Sequence, residues 1–299
     1  MNILVIKLSA LGDVVQAFGS FAAIRAHHPA ARLTLLTTAP FRELAERSPW
    51  FNRVLVDERP GWWNLPALMR LRRKLQGYDF VYDLQTSGRT SHYFRLAGAP
   101  PWSGIARGAS HPHVNPARNR MHTLDRLHEQ LAMAGIHDFP RPDLSWFTAG
   151  GPMLQEPYAL LAPGSSPHRL EKRWPATLFG DLAGLIAERG MLPVVVGGKP
   201  ERDLAATVRA ACPSALDLTG QTSLLDLGGV AARAFLAVGN DTGPMHVAAA
   251  VGCPSIVLFS AASDPALAAP RGAVAGTVVM LREANLADLA LERVAACLQ

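Results

Sequence analysis

The chain has 299 residues, 49% of them hydrophobic and 18% charged, with a formal net charge of +5. That length predicts two domains of similar size, and that composition excludes a largely disordered or fibrous protein. A membrane span is not expected, because the longest weakly charged stretch, 247–262, contains Gly252 and Pro254 and is shorter than the ~20 residues a span requires.

The apolar run 3–6 meets Lys7 at once, so no secretory signal is expected. Cys212, Cys253 and Cys297 are too few and scattered for a disulfide framework or a zinc site. A cytoplasmic globular protein is the expectation. Residues 1–154 carry 18 Lys+Arg against 11 Asp+Glu, whereas residues 155–299 carry 11 against 13. A basic first half points to an anionic partner there: nucleic acid, a lipid head group or a phosphorylated substrate.

In chain order, 2–7 reads as a buried parallel strand, 8–12 as a tight turn and 13–27 as a helix. A strand follows over 33–37, a short helix over 40–47, a strand over 53–56 and a basic helix over 65–75. The strand 80–84 and helix 90–96 precede a Gly/Pro/His-rich loop, 100–116, and a helix over 122–134. Residues 137–157, Pro-rich with adjacent glycines, read as a linker. Alternation restarts with strands at 159–162, 193–196, 215–218, 235–238 and 255–258. Helices intervene at 175–189, 201–211, 223–232 and 244–250, and a last helix is expected over 286–298. Such alternation implies parallel sheets with helices on both faces. The expected class is α/β, two Rossmann-like domains over 1–154 and 155–299 with a cleft between them.

Three junctions carry polar residues where a strand hands over to a helix. Leu8-Ser9-Ala10-Leu11-Gly12-Asp13 is neither a dinucleotide fingerprint nor a Walker loop, and Asp13 reads equally as a helix cap or as a catalytic carboxylate. Pro163-Gly164-Ser165-Ser166 and Lys172-Arg173-Trp174-Pro175 make either a pyrophosphate cradle or an exposed basic loop. Asn240-Asp241-Thr242-Gly243-Pro244-Met245-His246 is the sharpest: acid, hydroxyl and imidazole crowd a turn before an apolar helix, which favours a phosphate-binding site. His111, His113, His122 and His128 have no ligand spacing, so no metal site is expected. Arg70, Arg72, Arg73 and Lys74 read as a solvated helix face, although Trp62-Trp63 beside them favours an acceptor or membrane-proximal surface.

In order, these motifs resemble those of glycosyltransferase family 9, the ADP-heptose:lipopolysaccharide heptosyltransferases; Tyr82-Asp83-Leu84-Gln85, Arg89 and Gly98 are also similar. The resemblance implies a GT-B fold, with the acceptor on the first domain and the nucleotide-sugar on the second. It implies metal-independent transfer with inversion of a heptosyl group from ADP-heptose, and no cofactor. Asp13 matches the general base, and Lys172 with the Thr242-Gly243 backbone would stabilise the departing ADP. Ser165, Ser166, Glu201, Asp241, Thr242, Gly243 and His246 would bind the nucleotide-sugar, with Glu201 at its ribose. Arg70, Arg73, Arg89 and Arg120 would bind the acceptor, a phosphorylated or Kdo-bearing lipid A-core. Transient association with the inner face of the inner membrane is implied, and nucleic acid is not a partner.

The chain is short for that family after Phe259, which leaves room for another nucleotide-sugar or a protein acceptor. A nucleotide-sugar epimerase or hydrolase and a sugar-nucleotide-binding protein without turnover are the alternatives.

Overall fold

The computed structural model describes residues 1–154, 157–166 and 168–298. Gln155 and Glu156, at the end of the expected linker, and Pro167, in the loop after the first strand of the second half, lie outside the described residues. The chain forms two compact units, Met1–Trp146 and Phe147–Gln299.

Unit 1 runs β1 (Asn2–Ile6), α1 (Leu11–Gln16), α2 (Phe18–His27), β2 (Arg32–Thr37), α3 (Arg42–Arg47), β3 (Arg53–Val56), α4 (Leu65–Leu75), β4 (Phe80–Asp83), α5 (Gly88–Leu96), β5 (Trp102–Gly104), β6 (His111–Pro112) and α6 (Thr123–Ala132). Its parallel sheet has the order β3-β2-β1-β4-β5-β6. Ile3, Leu4, Val5 and Ile6 of β1 are all buried, as expected of a strand covered on both faces. Leu4, Ile6, Val81, Trp102 and Tyr93 join one apolar core.

A short helix, α7 (Ser145–Thr148), crosses the division. Unit 2 continues β7 (Tyr158–Ala162), α8 (Ala176–Glu188), β8 (Leu192–Val195), α9 (Arg202–Ala211), β9 (Leu216–Asp217), α10 (Leu224–Arg233), β10 (Leu236–Asn240), α11 (Gly243–Ala250), β11 (Ser255–Phe259), α12 (Pro265–Ala268), β12 (Val278–Arg282) and α13 (Leu291–Ala295). Its sheet, β12-β11-β10-β7-β8-β9, repeats the order of the first. In both, the direction of strand addition reverses beside the first strand, between β1 and β4 and between β7 and β10. Doubly wound sheets bind ligands outside the strand carboxyl ends at such a reversal.

The division falls earlier than the expected 154/155 because 147–152 is tied to α10. Arg233 Nη2 donates to the carbonyls of Gly150, Gly151 and Pro152 at 3.0–3.3 Å. Gly151 N donates to Asp226 Oδ1 at 3.0 Å. A Cβ on Gly229 would lie 1.8 Å from Gly150 O, so this approach requires glycine.

Three expected elements are corrected and one strand is added. The helix over 13–27 is two helices, because the Ala17 N–H is shared between the Asp13 and Val14 carbonyls, a local tightening of the ladder. The loop 100–116 contains β5 and β6, which pair beyond β4 through Val81↔Trp102 and Ser103↔His111. β12 was not expected; as an edge strand it leaves Val279 and Met280 exposed. The terminal helix is reduced to a 3-10 turn over Leu286–Asp288 followed by α13, since Leu289 O accepts from the Trp174 indole at 2.9 Å instead of from a helical N–H.

Candidate active site

In unit 2 the polar junctions meet at the reversal point. β7 delivers Pro163–Ser166, β10 delivers Asn240 and Asp241, and α11 starts at Gly243 with its first N–H groups open. Asn240 is fully buried and stitches these segments together. Its Oδ1 accepts from Trp174 N at 2.9 Å, while its Nδ2 donates to Pro163 O at 2.8 Å and Gly164 O at 3.3 Å. That brings the 3-10 turn Leu170–Lys172 against the end of β10.

Lys172 Nζ therefore donates to Asp241 Oδ2 at 2.6 Å, and His246 Nε2, one turn into α11, stands 3.8 Å from Asp241 Oδ1. Burial acts to raise the Asp241 carboxyl, but His246 and Lys172 overcome it and hold it down to about 2. The result is an anchored cation at the positive end of a helix, a place where negative charge is stabilised. Thr242 is the extended residue that caps α11, with no hydrogen bond from its side chain to the helix.

Ser165 is buried and its hydroxyl is engaged, donating to Arg169 O at 2.9 Å and accepting from Arg173 Nε at 3.0 Å. It shapes the loop and orients Arg173, while Ser166 is exposed. Glu201, at the end of the 3-10 turn Lys199–Glu201, accepts from Gly198 N at 2.7 Å. Its side chain lies against Gly164, where a Cβ would come within 2.6 Å of Glu201 Cγ. All seven nucleotide-sugar positions, and Lys172, thus lie on loops or helix starts beside β7 and its neighbours.

In unit 1, Asp13 sits in the first turn of α1 and its Oδ2 accepts from Ala10 N at 3.0 Å. Oδ1 accepts from no described residue, so the carboxylate caps the turn and keeps one oxygen for a ligand. Gln85, after β4, locks the turn by accepting from Leu8 N at 2.8 Å and Ser9 N at 3.2 Å. Beneath it Lys7 is buried, with Nζ donating to Leu84 O at 3.2 Å. Burial pushes its ammonium down, while Asp13 and Asp83 act to raise it. Asp83 is fully buried, and burial raises its carboxyl to about 6. Its Oδ1 accepts from Gln85 N and Thr86 N, but its Oδ2 has no hydrogen bond of good geometry among the described residues, and the Thr90 hydroxyl only partly offsets its burial.

Arg89, in α5, donates to Pro60 O at 3.2 Å and stands 5.1 Å over the Trp62 ring. Arg70 and Arg73 of α4, and Arg120 in the 3-10 turn Arg118–Arg120, are exposed and paired with no described residue. Among the described residues no group of three or more His, Cys, Asp or Glu is placed to hold a metal ion.

A model of glycosyltransferase family 9 (heptosyltransferase) matches residues 68–297. The chain belongs to this family. It is 26% identical over 283 residues to lipopolysaccharide heptosyltransferase 1 of Pseudomonas aeruginosa, covering 87% of this chain and 78% of that one. Against lipopolysaccharide heptosyltransferase 2 of Escherichia coli K12 it is 26% identical over 297 residues, covering 88% and 84%. The solved E. coli heptosyltransferase WaaC with ADP superposes with a TM-score of 0.82 at 23% identity, over 99% of this chain and 98% of that one. This glycosyltransferase therefore has the GT-B fold, built from two Rossmann-like parallel-sheet units.

Sequence reasoning missed several residues that build the candidate site. Asn240 lay inside the sharpest motif and Gln85 inside a quoted tetrapeptide, but neither announces its role, which is to bond backbone groups distant in sequence. Lys7, at the end of a strand, gives no sign in sequence of its bond to Leu84 O. Arg59, whose Nη2 donates to Ser9 Oγ at 2.7 Å, had no signal at all.

Proposed function

We propose that this glycosyltransferase moves a heptosyl group from ADP-heptose to the inner core of a lipopolysaccharide precursor, with inversion and without a metal. Residues 1–154 bind the acceptor and residues 155–299 the nucleotide-sugar. The observation that carries the reading is the Lys172–Asp241–His246 cluster at the head of α11. A departing nucleoside diphosphate gains negative charge, and here a held ammonium and a helix N-terminus meet it. That arrangement supplies the positive charge a metal would otherwise bring.

Asp13 takes the proton of the attacking acceptor hydroxyl through Oδ1, while the bond to Ala10 N fixes the carboxylate. Glu201 binds the ribose, Thr242 and Gly243 offer backbone donors to the diphosphate, and Ser165 and Ser166 line its loop. Arg70, Arg73, Arg89 and Arg120 attract the phosphate and Kdo carboxylates of the acceptor. A lipid acceptor brings the enzyme transiently to the inner face of the inner membrane. No helix among the described residues is long and apolar enough to cross one.

The test is transfer from ADP-heptose to a Kdo-bearing lipid A precursor, read as a mass gain of one heptose, with the anomeric configuration read by NMR. Wild type makes the inverted product in excess chelator. Asp13→Ala abolishes transfer while ADP affinity stays within about twofold, since removing one surface carboxylate from the other unit costs little there. Near-normal transfer by that variant would remove Asp13 as the base. Transfer only with UDP- or GDP-sugars would remove ADP-heptose as the donor.

A further inference from the structure

On unit 1, one turn along α5 from Arg89, a pocket of about 140 Å³ opens that none of the residues assigned above lines. It is lined by Ser91, His92 and Arg95 of α5 and by Arg107 in the turn after β5. Its volume is that of roughly four or five waters, enough for one small oxyanion. Arg95 and Arg107 are both exposed, and neither guanidinium has a carboxylate or any other partner among the described residues. Single unpaired arginines are common on surfaces. Two that line one concavity with no counter-charge beside them make a place that favours an anion.

The other lining groups add acceptors, which suit the P–OH hydrogen of a monoprotonated phosphate. His92 Nδ1 lies 2.7 Å from Gly88 O, which can only accept, so Nδ1 carries the hydrogen and Nε2 is left for a ligand. Ser91 Oγ donates to Ser87 O at 3.0 Å and keeps its lone pairs. Planar guanidiniums match phosphate oxygens in pairs, which lysines do not.

The pocket adjoins an apolar rim. The Trp62 ring lies 5.3 Å from the His92 ring, Trp63 is 87% exposed, and Leu65 and Met69 at the start of α4 are also exposed. Indoles beside cationic side chains are the composition of surfaces that rest at a lipid interface.

We propose that the His92–Arg95–Arg107 pocket is a phosphate-binding site, distinct from the residues assigned to donor and acceptor. The phosphate it takes is carried on a lipid head group, with Trp62 and Trp63 entering the interface beside it. The site rests on unit 1 alone and does not depend on which sugar is transferred.

Sodium phosphate is titrated calorimetrically into the full chain at fixed ionic strength, with chloride as control. Saturable binding is expected for phosphate. The Arg95→Gln/Arg107→Gln pair weakens it by about tenfold per guanidinium, the usual loss of one charge-assisted bond, while ADP affinity remains that of wild type. In the second arm, wild type floats with phosphatidylcholine vesicles doped with phosphatidic acid and not with phosphatidylcholine alone. Trp63→Ala weakens vesicle binding and leaves inorganic phosphate binding intact.

Phosphate binding without vesicle binding keeps the site and assigns it a soluble phosphate. Absence of phosphate binding, or binding of phosphate or vesicles that survives the double substitution, overturns the proposal. The ADP titration of the same variant separates this failure from any failure of the donor reading.

Discussion

Replacing Lys172 by Met tests the centre of the candidate site by two independent routes. Lys172 Nζ and Asp241 Oδ2 are 2.6 Å apart, with side chains 16% and 7% exposed. Burial alone would raise the carboxyl; His246 and Lys172 instead bring it from 3.8 to about 2. At 1.36 kcal/mol per pKa unit, the contacts supply about 2 kcal/mol of folding stability at neutral pH. Lys172→Met leaves His246 and the Ser263 hydroxyl to hold the carboxyl down, so a loss of between about 1 and 2 kcal/mol is expected at pH 7.

Because the folded carboxyl is depressed, this stability is complete above about pH 4 and disappears as the pH falls towards 2. Urea unfolding of wild type and variant should therefore show a constant gap from pH 8 to about 4, closing below. A gap that persists undiminished below that window, or none at pH 7, refutes the assignment of this stability to the ionised pair. The catalytic route is separate. Loss of one group that stabilises the leaving diphosphate should lower kcat about 10²–10³-fold. Lys172→Arg, which keeps the charge but not the geometry, should fall between the two.

Three further substitutions address the parts that hold the site. Asp83→Asn keeps an acceptor for Gln85 N and Thr86 N and removes a charge whose burial raises it from 3.8 to about 6. Wild-type stability should decline as the pH rises through that window and the variant's should not, so the difference grows by up to about 3 kcal/mol between pH 4 and 7 in urea titrations. Gly229→Ala, which sets a Cβ 1.8 Å from Gly150 O, should cost about 3 kcal/mol or more in thermal unfolding and expose the 147–152 segment to protease. Gly164→Ala, which drives a Cβ to 2.6 Å from Glu201 Cγ, displaces that carboxylate; ADP affinity should fall about tenfold with little change in melting temperature, and unchanged affinity would take Glu201 out of the ribose site.

The parts of the fold that could be read from residues alone are those in which burial is continuous. β1, β7, β10 and β11 are short apolar runs buried almost throughout, and no surface helix has that pattern. β5 and β6, of three and two residues, carry too little pattern to register; they exist because β4 offers an edge and Trp102 fills the core beneath it. The terminal helix failed for the opposite reason. Its apolar periodicity is real, and Leu286, Leu289, Val294 and Leu298 are all buried, but Trp174 takes the Leu289 carbonyl from the helical ladder. A tertiary hydrogen bond spanning 115 residues leaves no trace in local sequence.

The site divides along the same line. The Asn240–His246 run is legible because so many polar residues crowd one turn before an apolar helix, whereas Asp13 and Lys172 read equally well as a cap and as part of a basic loop. Their partners did not stand out, because a buried polar residue announces itself only through what it bonds. Asn240 reaches the backbones of Trp174, Pro163 and Gly164, and Gln85 those of Leu8 and Ser9. In each unit, then, a carboxamide from the strand across the reversal point bonds the backbone of the loop that follows the first strand. A neutral amide suits that place: it satisfies buried N–H and C=O groups without adding charge next to Asp13 or Lys172. Asp241, just after β10, and Asp83, the last residue of β4, are driven apart by their environments, one held ionised at about 2 and the other raised to about 6. The difference follows from their partners, an ammonium at 2.6 Å in one case and, in the other, a buried oxygen with no hydrogen bond of good geometry among the described residues.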